Sequence, residues 1–493
     1  MKPYRILIFI IVVITGLGLL AAFFPEDGIA VGNITLRFPS LETVMTREDH
    51  SQQEAEARMM VLDSIATRTR ELNELKDTLS YYNEILSMHP ARFYVPGDDI
   101  GYFDSFFEAL DLANEEERVV RILHYGDSQI EMDRISSDLR AFFQHKFGGG
   151  GPGLLPLEQT IPSASVYQQA SGDYEDYAVY GTSMRTSNRE YGLMGRFYRV
   201  HSNAHFTATA TKNEKLDPGL RSFSRITLLF KDLKGGFSAS LKGRGLPGEL
   251  MQTNEKAGYG SLTWQLDTVV TRISLNLKGA ADIYGILLDN GFGANVDNIP
   301  LRGSSGTIFT SIRDSSLSHL YELADVGLVI LQFGGNSVPG IYGEKGVQAY
   351  KERIASQIRY IRNIYPNAKL LFIGPSDMST RVNGTLQTYP WLPAIVEALK
   401  EAAIENDAAF WDMYEVMGGH NSMLAWVRNG YAGNDYIHFT PTGATKIGKA
   451  LSGSFEVMYD FYRMRKETPG DRFDEIWANF NMQPTVDTTT AQY

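Results

Sequence analysis

Residues 121–135 read RILHYGDSQIEMDRI, and no other stretch limits the fold as much. A β-branched and aliphatic run stops at Gly126-Asp127-Ser128 and passes at once into a helical pattern. Two later runs, 326–333 and 369–373, are continuously apolar, as strands buried on both faces of a parallel sheet must be. Helical spacing occupies 346–365, 391–406 and 442–461, the last with Pro441 at its first turn, and 408–411 reads as a further strand. Strands alternating with helices predict an α/β fold built on a doubly wound parallel sheet. A serine at the carboxyl end of such a strand, beside outward-pointing helix N–H groups, is a seat for a nucleophile.

That texture breaks off between 157 and 293. Helical periodicity fades, a short helix at 102–113 being the last signal before the first strand apart from the one after Ser128. Short β-rich runs at 206–211, 224–230, 237–241, 261–265, 269–277 and 282–289 replace it, separated by turn residues. Such spacing predicts an all-β sandwich of jelly-roll type. It stands after the first strand–helix unit of the α/β domain, as an insertion in a surface loop can. The expected organisation is therefore a first α/β part at 96–156, the insert at 157–293 and a second α/β part at 294–465. A tail occupies 466–493, and its last part, 483–493, with a Thr run at 488–490, reads as disordered.

Ahead of the body, 1–5 is a short basic start and 6–24 an almost unbroken apolar run, with Lys2 and Arg5 before it and Pro25-Glu26-Asp27 after it. At 1.5 Å per residue the run reaches roughly 28 Å, close to the thickness of a bilayer core. The charges favour a single-pass inner-membrane anchor with its N-terminus in the cytoplasm and its body in the periplasm or beyond. A cleaved signal peptide is the competing reading, although no small-x-small site follows. A linker at 25–50 leads to a helical stalk at 51–90, where Ile65, Leu72, Leu79 and Leu86 keep seven-residue spacing around an interrupting Arg68. That seam suits either a coiled coil joining a homodimer or one amphipathic helix packed on its own domain.

Composition removes several classes. Lys and Arg number 46 against 58 Asp and Glu, a net charge of −12, and no basic stripe offsets it, so no nucleic-acid partner is expected. The absence of cysteine excludes disulfide scaffolds, thiolate metal sites, cysteine nucleophiles and a lipobox anchor. No close His/Asp/Glu cluster stands out, so neither a metal nor another cofactor is expected.

A serine nucleophile needs a base, a group that orients the base, and donors for an oxyanion. His438, in Asn434-Asp435-Tyr436-Ile437-His438, is the candidate base, and Asp435, three residues earlier in the same loop, can turn back to meet the imidazole. The 326–333 strand ends in Gly334-Gly335-Asn336, which brings an amide to the sheet edge where Ser128 sits. Gly303, in Leu301-Arg302-Gly303-Ser304, could give a second donor from its backbone N–H. Glu131 and Arg134, three apart after the serine, are expected to pair on a helix, and Gln129 and Asp133 to serve structure. Aromatics between 174 and 191, and Trp264, suit either a sugar-stacking platform or the core of the insert.

Taken in order, these segments resemble the SGNH (GDSL-type) hydrolase superfamily, over roughly 119–155 and 295–462. The resemblance implies a flavodoxin-like sheet and an acyl-enzyme mechanism. Ser128 would be the nucleophile, His438 the base and Asp435 its partner, with Ser128 N–H, Gly303 N–H and the Asn336 side chain as the oxyanion hole. Ser337 stands where that family usually carries an acidic residue after the asparagine. The β insert between the first two motifs is similar to the layout of bacterial peptidoglycan O-acetylesterases and O-acetyltransferases. It implies a polysaccharide or peptidoglycan substrate and, for a transferase, a membrane partner that delivers acyl groups. A lipase or thioesterase of the same superfamily, and a non-catalytic glycan-binding or assembly protein, are the alternatives.

Overall fold

The computed structural model describes residues 3–25, 28–31, 34–36, 38, 85–86, 89–212, 216–243 and 249–467. Most of the expected stalk at 51–90 and of the tail at 466–493 lies outside them. The first helix, α1 (Pro3–Phe23), forms over the apolar run, with Ile8, Phe9, Ile11, Val12 and Ile14 exposed. Among the described residues no helix is long and apolar enough to cross a membrane.

The body begins with β1 (Phe93–Tyr94), α2 (Asp104–Leu112), β2 (Val119–Gly126) and α3 (Ser136–Phe147). Nine strands follow: β3 (Gly153–Leu155), β4 (Val166–Ala178), β5 (Arg196–Ala210), β6 (Phe223–Asp232), β7 (Ser238–Lys242), β8 (Leu250–Thr253), β9 (Gly258–Val270), β10 (Arg272–Lys278) and β11 (Ala281–Asp289). Alternation resumes with β12 (Gly293–Pro300), α4 (Asp314–Ala324), β13 (Val326–Gln332), α5 (Gly343–Ile364) and β14 (Lys369–Ile373). It closes with α6 (Leu392–Ile404), β15 (Ala409–Trp411) and α7 (Pro441–Glu467).

The α/β sheet has the order β12-β2-β13-β14-β15-β1. Its first five strands are parallel, and in chain order they run 2-1-3-4-5, the flavodoxin-like arrangement. The sixth, β1, pairs antiparallel with β15, so the sheet is mixed rather than wholly parallel. Two residues are too few to carry a strand pattern in sequence. All eight residues of β2 are buried, because helices cover both faces. Val120, Ile122 and Ile330 pack towards α2, α3 and α7. Leu123, Val329 and Leu331 pack towards α4, α5 and α6. His124 is buried within β2 between Gln332 Oε1 (3.0 Å) and Ser136 Oγ (2.9 Å), and burial lowers its pKa to about 4, keeping the ring neutral.

The insert is all β and antiparallel, but it is one sheet rather than two stacked ones. Its order is β8-β7-β10-β5-β11-β6-β9, with β3 added on β11 and β4 on β5. The cause is β5, whose 15 residues pair with β11 through Tyr198–Val200 and with β10 through 203–209, joining what would have been separate layers. Gly172, at φ 128°, marks a register break between β4 and β5, and a Cβ there would come within 2.6 Å of the Asn203 carbonyl oxygen. The far edges meet as well: Trp264 Nε1 donates to the Leu250 carbonyl (3.1 Å), and Gln252 Nε2 donates to that of Thr263. The sheet thus rolls around a single core that includes Phe206, Leu228, Phe230, Trp264 and Leu275. It takes in Gly153–Leu155, ahead of the expected start at 157.

Insert and α/β body join at the amino end of β2. There Arg121 is buried between Asp297 (3.1 Å) and Asp289, and Arg225 also reaches Asp289 (2.7 Å). The N–H of Leu154 donates to Asp297 (2.7 Å). Burial opposes the guanidinium charge, but the two carboxylates outweigh it and raise the Arg121 pKa.

Candidate active site

The chain order of the sheet reverses between β2 and β13, and ligands of such sheets gather at the carboxyl ends of the strands on either side of that point. Ser128 follows β2 and Asn336 follows β13, so both stand at this crevice. The turn after β2 is made by Asp127, whose Oδ1 accepts the Gln129 N–H (3.0 Å) and closes a short 3-10 turn over Ser128–Ile130. No long helix starts at the serine: α3 begins at Ser136. In between, Met132, Asp133 and Ile135 adopt φ of 60°, 63° and 63°, a left-handed path that costs non-glycine residues about 1–3 kcal/mol each. Helical spacing in the sequence hid this break.

Several bonds hold the strained segment. Asp133 pairs with Arg140 through both carboxylate oxygens (2.7 and 2.9 Å) and accepts a hydrogen bond from Ser165 of the insert. The Ala164 N–H donates to the Met132 carbonyl (3.1 Å). Arg134 donates to the Ser128 carbonyl (2.8 Å) and the Phe439 carbonyl (2.9 Å), tying the serine turn to the histidine loop. The expected Glu131–Arg134 pair does not form; Glu131 is buried and pairs with Arg302. Because the path is not helical, a spacing of three brings no side chains together there.

Ser128 Oγ lies 2.8 Å from His438 Nε2, and His438 Nδ1 lies 2.8 Å from Asp435 Oδ2. A carboxylate at Nδ1 assigns the ring proton to that nitrogen and leaves Nε2 to accept from the serine hydroxyl. The other Asp435 oxygen accepts the backbone N–H of Ile437 (3.0 Å) and of His438 (3.1 Å). Burial pushes the Asp435 pKa up, but these bonds and the imidazole prevail and hold it below the usual carboxylate value. Gln129 fixes the loop from behind: its Nε2 donates to the Ile437 carbonyl (2.7 Å) and its Oε1 accepts the Phe439 N–H (3.2 Å). The His438 and Asp435 side chains are 41% and 49% exposed, open enough for a large substrate to approach.

Asn336 Nδ2 donates to Asp127 Oδ2 (3.1 Å) and to the Ser304 carbonyl (3.1 Å), which draws the ends of β2, β12 and β13 together. Asp127 is buried, and that burial raises its pKa to about 6. Gly303 sits at φ 73° in the turn after β12 with open space around it. It does not line the cavity of about 160 Å³ that Ser128, Asn336, Pro339, Met378, Met413 and His438 share. Of the candidate aromatics, Trp264 and Tyr191 are buried, and Tyr177 stacks on Phe197 at 5.0 Å, so these rings pack the insert. No local pattern signals the Gln129 and Arg134 contacts, because their partners lie some 300 residues further on.

Comparison with known proteins bears on the fold and the family. The model of the GDSL-like lipase/acylhydrolase family matches residues 258–446, which hold Gly303, Asn336, Asp435 and His438 but not Ser128. The solved structure of a peptidoglycan O-acetylesterase has the same fold at 21% identity and a TM-score of 0.59, covering 72% of this chain and 96% of that one. A family two carbohydrate esterase from Cellvibrio japonicus aligns at 10% identity over 60% of this chain and 98% of its own, with a TM-score of 0.25, too low to argue from. No curated protein matches the chain.

Proposed function

We propose that this chain, whose residues 258–446 match the model of the GDSL-like lipase/acylhydrolase family, is an SGNH hydrolase, a serine esterase that removes O-acetyl groups from an envelope or exported polysaccharide. One observation carries the reading: the unbroken Ser128–His438–Asp435 hydrogen-bond chain at the crevice of a flavodoxin-like sheet. Ser128 Oγ attacks the acyl carbon while its proton passes to His438 Nε2, and Asp435 holds the imidazolium. The carbon–oxygen bond to the sugar then breaks, and His438 returns the proton to the departing hydroxyl. Water repeats the cycle on the acyl-enzyme; a sugar hydroxyl in its place would make the protein a transferase.

The Ser128 N–H is an oxyanion donor in this proposal, and the Asn336 amide joins it when bound substrate displaces its bond to the Ser304 carbonyl. Gly303 joins them if the turn from Leu301 to Gly306 closes over bound substrate. A cavity of about 160 Å³ is small against the several hundred Å³ that bury larger ligands, which favours acetyl over a long lipid acyl chain. We also propose that the N-terminal apolar run at 6–24 holds the body at a membrane on its outer side, near any membrane partner that supplies acyl groups, an orientation favoured by Lys2 and Arg5 before it and Glu26 and Asp27 after it.

The test is to assay wild type and Ser128→Ala on 4-nitrophenyl acetate and on acetylated glycan. Turnover lost in the variant supports the assignment, and undiminished turnover refutes it.

A further inference from the structure

The rolled insert carries a groove that the proposed reaction does not use. On its outer face the register aligns side chains in rows across β4, β5 and β10. Tyr167, Thr209 and Arg272 form one row, and Gln169, Thr207 and Ser274 form the next. The opposite face of the same strands supplies the core, with Phe206, Ala208, Ile273 and Leu275. A cavity of about 650 Å³ covers the outer rows and is walled on one side by the loop of Gln159 and Ser163. That volume is in the range of sites that hold organic ligands, and four times that of the cavity beside Ser128.

The lining has a definite chemistry. Tyr167 is 62% exposed, although its alternation on β4 alone does not require an aromatic there. Threonine hydroxyls and the Gln169 amide flank it, and Lys212 and Arg272 add two positive charges. Among the described residues no Asp or Glu lines the cavity, in a chain of net charge −12, and neither cation is paired with a carboxylate. Lys242, the next side chain along the second row, is already paired with Glu249 (2.9 Å).

The same loop that walls the groove reaches the serine segment. The Ala164 N–H bonds the Met132 carbonyl, and Ser165 bonds Asp133. A chain held on the outer face is thus anchored next to an element fixed to the nucleophile turn.

We propose that this groove binds an anionic polysaccharide, a chain bearing carboxylates, with Tyr167 stacking on a sugar ring and Arg272 and Lys212 pairing with its acid groups. This rests on the reading of the protein as a polysaccharide esterase and names the charge class of its substrate. An aromatic face, neutral donors and acceptors, and two cations that no described carboxylate pairs together suit a uronate chain. A neutral glycan would offer those cations no acid group. A bilayer is flat, whereas the groove is walled.

Affinity electrophoresis of the full-length protein in detergent through polygalacturonate or dextran tests this, beside 4-nitrophenyl acetate turnover on the same preparations. Wild type is expected to be retarded by polygalacturonate and not by dextran, less so as salt rises. Arg272→Gln combined with Tyr167→Ala should weaken retardation roughly tenfold or more while turnover stays within about twofold. Arg272→Gln alone serves if the double variant does not fold. Equal retardation by dextran, or unchanged retardation of the variants, overturns the proposal. Retardation that the variants lose, in a protein without ester turnover, upholds the groove and refutes the esterase reading instead.

Discussion

The two ends of β2 use the same residue types for opposite purposes. At the amino end, Arg121 meets Asp289 and Asp297 with all three side chains at most 1% exposed. At the carboxyl end, Asp435 and His438 are nearly half exposed, and the hydroxyl they serve faces a cavity. Buried charges are costly to remove from water and hold only when every partner is present, so the first cluster locks insert to body. Charges left near solvent add little stability but can change protonation cheaply, as a proton relay must. Burial, more than residue identity, separates structure from chemistry along this strand.

The comparison breaks if either end behaves like the other. The largest effect is expected from His438→Ala, which should lower kcat on an acetyl ester about 10⁴-fold while thermal unfolding stays where it was. A large drop in melting temperature would give the relay a structural role. Next, Arg121→Met leaves two carboxylates buried without their cation and should cost about 3–5 kcal/mol in denaturant unfolding. A loss below 1 kcal/mol would show that the amino end is not a lock. Asn336→Ala should reduce kcat by about 10²–10³-fold, the usual cost of one oxyanion donor, with KM changed much less.

The smallest effect concerns pH. Burial raises the carboxyls of Asp127, Asp138, Asp377 and Asp412 to about 6. The folded chain therefore holds these protons more tightly than the unfolded chain, and stability should grow as pH falls from 7 through 6 towards 4. His124, whose burial lowers its pKa to about 4, and Asp435, held low, work in the other direction. The neutral imidazole costs stability as pH falls below about 6.5, while the Asp435 contribution disappears only below the usual carboxylate value, so the four carboxyls set the sign. A melting temperature roughly 2–5 °C higher at pH 5 than at pH 7.5 is the expected reading, and Asp127→Asn should remove about a quarter of the carboxyl contribution. A melting temperature that falls over that interval would contradict the burial argument.

Much of this was legible in the sequence wherever the signal is local. The strands that became β2, β13 and β14, the helix opened by Pro441, and the Asp435-x-x-His438 spacing all depend on neighbours within a few residues. Contacts set by the tertiary fold were not legible. Arg302 finds Glu131 across 171 positions, and Arg134 leaves the helix position that would have given it that partner. The roll of the insert depends on how β5 divides its pairing between β10 and β11, which alternation cannot encode. Tyr167 carries no signal of its own, because alternation says which face a residue occupies, not which face a second layer covers. Trp264 packs in the core of the insert, and Tyr177 lies half-buried against Phe197.

The central claim is that His438 activates Ser128 at the open end of β2. Treating the full-length protein with a fluorophosphonate and locating the adduct by peptide mass spectrometry tests it directly. One adduct on Ser128, absent from Ser128→Ala and strongly slowed in His438→Ala, is the predicted result. Absence of labelling on Ser128, or labelling of it at an unchanged rate in His438→Ala, would contradict it.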